Sequence, residues 1–131
     1  MITATYSNGQ INNNVYTYKN LNFEVLLSLP QNLNYNEKDI NDDDAFAHII
    51  NFEDKSAIII STGMIQFAID LSNNNYDSSC PCSKTIKRNI NNTLWRRDKY
   101  KSVNLYYIIS DLDKEFLFDK ILDEAVINYR Y

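Results

Sequence analysis

A chain of 131 residues, 44% hydrophobic and 13% aromatic, has the length of one domain with its own core, since folding at this size hides roughly two-thirds of the unfolded surface. Two glycines and two prolines exclude a linker-like or low-complexity chain, and no apolar run approaches the roughly 20 residues of a membrane span. The net charge of −4 disfavours a general nucleic-acid binder. No amino-terminal stretch combines positive charge, an apolar run and a cleavage site, so a cytoplasmic protein without a signal peptide is expected.

In chain order, Ile2 to Tyr6 alternates weakly, as an edge strand does, and Asn8-Gly9 is a turn signal. Val15 to Tyr18 reads as a second short strand. Leu21, Phe23, Val25, Leu27 and Leu29 then share one face of a half-buried strand that Pro30 stops. Gln31 to Asp44 is polar, and a loop or a short helix after its acidic run is expected. Phe46 to Phe52 reads as a strand, Glu53 to Ser56 as a hairpin turn, and Ala57 to Ile60 and Ile65 to Leu71 as strands separated by a break at Gly63.

Ser72 to Lys101 is ambiguous. Ile86, Ile90 and Leu94 are four apart and permit a helix, which the intervening asparagines weaken, so 84–101 is left as helix or loop. Val103 to Ser110 is a β-branched and aromatic strand, apolar on both faces and therefore central. A helix capped by Ser110 follows, with Leu117, Phe118, Ile121, Leu122 and Ala125 on one stripe and Asp119, Lys120, Asp123 and Glu124 opposite. Ile127, Tyr129 and Tyr131 then alternate in a short closing strand. The whole, residues 1–131, reads as a single α+β domain: a mostly antiparallel sheet, a C-terminal amphipathic helix packed on it, and the closing strand.

The segment N-N-V-Y-T-Y-K-N-L-N-F-E-V-L-L-S-L-P (Asn13 to Pro30) resembles the opening of PsbP-like and DcrB-like domains, and F-D-K-I-L-D-E-A-V-I-N-Y (Phe118 to Tyr129) is similar to their ending. The glycine usual before the first core strand is absent, Asn22 standing near its place. The resemblance implies an α/β/α sandwich and a binding or adaptor role without catalysis.

Candidate chemistry is sparse. His48, the one histidine, could be a general base or metal ligand, but a packed residue with one nitrogen satisfied is the commoner outcome. Cys80 and Cys82 flank Pro81; a bridge there would be strained and a zinc site lacks ligands, so free thiols and no metal or cofactor are expected. Lys84, Lys87 and Arg88 could lower a thiol pKa nearby, although an ordinary loop thiol is commoner. No glycine-rich phosphate loop or glycine-framed serine exists, and no enzyme or small-molecule substrate is indicated.

Charge carries more information. Lys84, Lys87, Arg88, Arg96, Arg97, Lys99 and Lys101 crowd one segment with Asp98 as its single acid, leaving the remainder strongly acidic. Trp95 and Tyr100 interleave with these bases, and Arg96, Arg97 and Lys99 form a candidate basic patch. The segment could equally dock internally on the acidic face. The acid surplus suits a protein that neutralises a basic partner by electrostatic steering. The expected function is therefore that of an immunity protein (antitoxin) occluding a basic toxin such as a nuclease. Asp39, Asp42, Asp43 and Asp44 are the expected partner-binding residues. The alternative is a PsbP-like or DcrB-like adaptor for a cell-envelope or secretion component.

Overall fold

A computed structural model describes residues 9–12, 14–30, 33–42, 45–62 and 85–130. Within them the strands are β1 (Gly9–Asn12), β2 (Val15–Lys19), β3 (Phe23–Ser28), β4 (Tyr35–Asp42), β5 (Ala45–Phe52), β6 (Ala57–Thr62), β7 (Thr85–Ile90), β8 (Thr93–Tyr100), β9 (Val103–Ile109) and β10 (Val126–Tyr129). A 3-10 turn, Leu112–Lys114, leads into helix α1 (Glu115–Asp123). Every described strand pair is antiparallel, and the α+β class with a C-terminal helix packed on sheet is the one observed.

The strands form two sheets, β1-β2-β3-β10 and β4-β5-β6-β9-β8-β7. Period-two alternation decides what lies between them. Tyr16 and Tyr18 on β2, and Phe23, Val25 and Leu27 on β3, are buried on the smaller sheet. Ile50, Phe52, Ile58, Ile60, Leu105, Tyr107 and Ile109 come from one face of the larger sheet, and all join a single core. Helix α1 adds Phe118, Ile121 and Leu122 to that core. The Phe118 ring meets Phe52 and Tyr107 edge-on, centroids 5.7 and 5.9 Å apart. Each such fully buried side chain contributes about 1.5–3 kcal/mol over leaving it exposed. For convenience the core-facing side of the six-stranded sheet is called its inner face and the opposite side its outer face.

The turns explain how a chain with two glycines makes so many hairpins. Asn14, Lys55, Asn91, Asn92 and Ser102 all take positive φ, and each sits where one strand reverses into the next. Asparagine tolerates this region better than most residues. Asn91 and Asn92, at φ 53° and 64°, form the two-residue turn whose twist matches a hairpin.

Several expectations need correction. Within the segment expected as a loop or short helix, Gln31–Asp44, residues Tyr35–Asp42 form β4, an edge strand. Its inward positions are Tyr35, Glu37 and Asp39, so the apolar alternation that marks a strand is missing. Within the 84–101 segment, expected as helix or loop, residues 85–100 form the β7–β8 hairpin; the four-residue spacing of Ile86, Ile90 and Leu94 crosses its turn. Leu21 leaves the face it was expected to share, standing 81% exposed in the bend before β3. Asp111, one residue after Ser110, caps the helical turn by accepting from the Asp113 N–H. Gly9 begins β1 instead of a turn. The expected strands at Ile2–Tyr6 and Ile65–Leu71, and the Gly63 break, lie outside the described residues.

Candidate functional site

Three charged regions are candidates, and the first lies in the core. His48 falls on the inner face of β5 opposite Asp39 on β4, and it is fully buried. Its Nδ1 lies 2.5 Å from Asp39 Oδ1 and its Nε2 2.6 Å from the Tyr16 hydroxyl. Tyr16 donates to Glu37 Oε1 at 2.5 Å, and that oxygen is also 3.3 Å from His48 Nε2. A hydroxyl thus faces Nε2 and a carboxylate faces Nδ1. Tyr18 lies over the imidazole, centroids 4.5 Å apart. Burial, and then the bond to Glu37, push the Tyr16 phenol above its ordinary pKa. Both ring nitrogens are committed, so this cluster ties β2 of one sheet to β4 and β5 of the other and leaves no nitrogen lone pair for a substrate or metal.

The second region is the basic hairpin. Arg96 points to the inner face, where its Nε and Nη2 grip the Asp98 carboxylate side-on, both at 2.9 Å. Its remaining donors reach Asp119 Oδ1 at 3.0 Å and Asp123 Oδ1 at 2.7 Å on α1. Lys87 bonds Glu115 at 2.6 Å and Asp119 at 2.8 Å, and the Tyr107 hydroxyl donates to Asp119 at 2.8 Å. Burial works against the Arg96 charge, but the bonds to Asp98, Asp123 and Asp119 outweigh it and hold the guanidinium above its ordinary pKa. Asp119 is lowered in turn: partial burial opposes the shift, and Lys87, Tyr107 and Arg96 produce it. The hairpin thus docks on acids of the same chain.

The third region is the end of the molecule where the chain enters α1. Phe116 is 82% exposed, and Leu112, one turn earlier, is 42% exposed. Asp111 and Asp113 are exposed beside them. The β5–β6 turn reaches the same end, with Lys114 bonded to Asp54 and Glu53 exposed. Sequence reasoning passed over Phe116. Its signal is the run Phe116-Leu117-Phe118, in which an α-helix can bury only part of three consecutive apolar residues.

Asp39 turns toward His48, and Asp42 ends β4 opposite Ala45. Asp43, Asp44, Cys80, Cys82 and Lys84 lie outside the described residues. Arg96 and Arg97 separate to opposite faces, and Lys99 shares the outer face with Arg97. Among the described residues no group of three or more His, Cys, Asp or Glu is placed to hold a metal, and no helix is long and apolar enough to cross a membrane. No family model, curated protein or solved structure matches the chain.

Proposed function

We propose that the protein is a non-catalytic binding protein that captures a basic protein partner, in the manner of an immunity protein occluding a cytoplasmic toxin domain. The observation that carries this reading is Phe116, an aromatic side chain 82% exposed on a helix whose first turn is acidic. Exposed aromatics act as anchors when a partner's pocket closes over them. Asp111 and Asp113 beside it would steer a positive surface and set orientation on arrival. Asp39 is engaged with His48, and Asp43 and Asp44 lie outside the described residues, so the proposed contact surface is drawn at the entry of α1. The absence of catalysis is part of the same proposal, supported by a single histidine that is fully buried with both nitrogens bonded.

The test is co-purification from the native host with wild type and a Phe116→Ala/Asp111→Lys/Asp113→Lys variant, at low and high salt. The expected result is a basic protein held by wild type, released as salt rises and lost from the variant. Equal retention by both removes this surface from the interface. Retention insensitive to salt favours the adaptor reading over the immunity one.

A further inference from the structure

Among the described residues four strands end the two sheets, β1 and β10 in the smaller and β4 and β7 in the larger. An open edge invites another strand, and proteins guard against this with charge. β4 carries Glu37, Lys38 and Asp39 in succession, and β7 carries Lys87 and Arg88. β10 reads V-I-N-Y, with neither a charge nor a proline, and Val126 and Tyr129 stand 48% and 41% exposed on it. The charges sit just beyond its ends: Glu124 before the strand and Arg130 after it, both exposed. β1 is uncharged too, but Asn8 and Asn13 flank it in the sequence and offer no charge to match.

The backbone fixes which groups face that edge. β10 runs antiparallel to β3, and the Arg130 N–H donates to the Asn22 carbonyl at 2.9 Å. Bonding alternates along an antiparallel pair, so Val126 and Asn128 also turn their N–H and C=O groups toward β3. Ile127 and Tyr129 turn theirs to the open edge. We infer that the chain associates with a second copy of itself through β10, joining two four-stranded sheets into one. In an antiparallel pairing about a two-fold axis at Ile127, the two Ile127 residues exchange both backbone bonds. Each Tyr129 N–H then reaches the Ala125 carbonyl of the other copy, with a large side chain set beside a small one. The same register brings Glu124 across from Arg130, and the axis repeats that pair at the other end. Opposite charges at the two ends of one strand are what an antiparallel copy of that strand requires. This edge shares no residue with the Phe116, Asp111 and Asp113 surface and does not depend on the proposed basic partner.

Sedimentation equilibrium of the full chain measures the association, and amide hydrogen exchange places it. Wild type is expected to reach twice the mass of one chain at or below about 1 mM, with the Ile127 and Tyr129 amides protected in the dimer. Arg130→Glu sets two acids against each other at both ends of the pairing. It should weaken association by about tenfold and expose both amides at the same protein concentration. The swap Glu124→Arg/Arg130→Glu restores opposite charges and should restore the dimer. Both positions are exposed, so folding is not at stake. The Val126 and Asn128 amides, which face β3, should stay protected in every variant and report on the fold. Phe116→Ala should leave the dimer intact. A wild type that stays monomeric to about 1 mM, or a dimer whose Ile127 and Tyr129 amides exchange freely, overturns the assignment. So does association indifferent to Arg130→Glu, not rescued by the swap, or abolished by Phe116→Ala.

Discussion

Arg96 and Arg97 are adjacent, identical in type and carried by one strand, yet the pleat sends them into opposite circumstances. On the inner face Arg96 meets Asp98, Asp119 and Asp123, and every charge there has a counter-charge within the chain. On the outer face Arg97 presents the same edge to nothing among the described residues. A buried ion network is consistent with a fixed arrangement of hairpin and helix, whereas the shielded Arg97 edge carries an unmet desolvation cost. Charge content alone does not separate the two; the distinction lies in which side of the sheet each side chain takes.

The comparison can be broken most forcefully at Arg96. Arg96→Met leaves Asp98, which is 1% exposed, without its counter-ion, and a loss of about 3–5 kcal/mol is expected by urea denaturation. A loss confined to a few tenths would mean that the network does not hold the helix to the hairpin.

Tyr16→Phe tests the other inner-face cluster. It deprives Glu37 and His48 Nε2 of a buried partner and should cost about 1–3 kcal/mol. The same variant tests the pH dependence. Tyr16 and Tyr107 have pKa values raised above 10.0 in the folded protein, chiefly by burial, so their contribution is complete below that value. It is lost as pH rises beyond it, because the unfolded chain ionises first. The fall in stability above about pH 10 should therefore be shallower in Tyr16→Phe than in wild type when followed by circular dichroism.

At the acidic end the effect is smaller. Burial tends to raise the Asp54 pKa, but bonds from Lys114 and Ser56 win and hold it down at about 2 against an ordinary 3.8. A lowered carboxyl pKa adds stability above its unfolded value, and that stability is lost as pH falls from about 4 toward 2. Lys114→Met should remove this part of the acid sensitivity, at a cost below about 1 kcal/mol for so exposed a pair. Smallest of all, Phe116→Ala should change stability by no more than about 0.5 kcal/mol while abolishing partner capture. A large loss of stability would show that Phe116 packs on its own chain.

How much of this was legible depends on whether an element's inward positions are apolar. The β9–α1–β10 tail announces itself because Val103, Leu105, Tyr107 and Ile109 alternate and Phe118, Ile121 and Leu122 recur at helical spacing. β4 was hidden because Glu37 and Asp39 occupy core-facing positions, and their partners, Tyr16 and His48, are 21 and 9 residues away. The β7–β8 hairpin was hidden because Lys87, Arg96 and Asp98 take the inner face where aliphatic residues mark a strand. Asn91-Asn92 was its one local signal. The internal docking of the basic segment was foreseeable from charge, but the opposite fates of Arg96 and Arg97 required the β8 register.

The most direct test compares Arg96→Met and Arg97→Met by urea denaturation in buffer free of carboxylate. Opposite outcomes are predicted: a large loss for Arg96→Met, and no loss or a gain for Arg97→Met, because removing an unmatched buried charge relieves its desolvation penalty. If Arg97→Met is destabilised as severely as Arg96→Met, the outer edge is already satisfied within the chain and the contrast between the two faces is wrong.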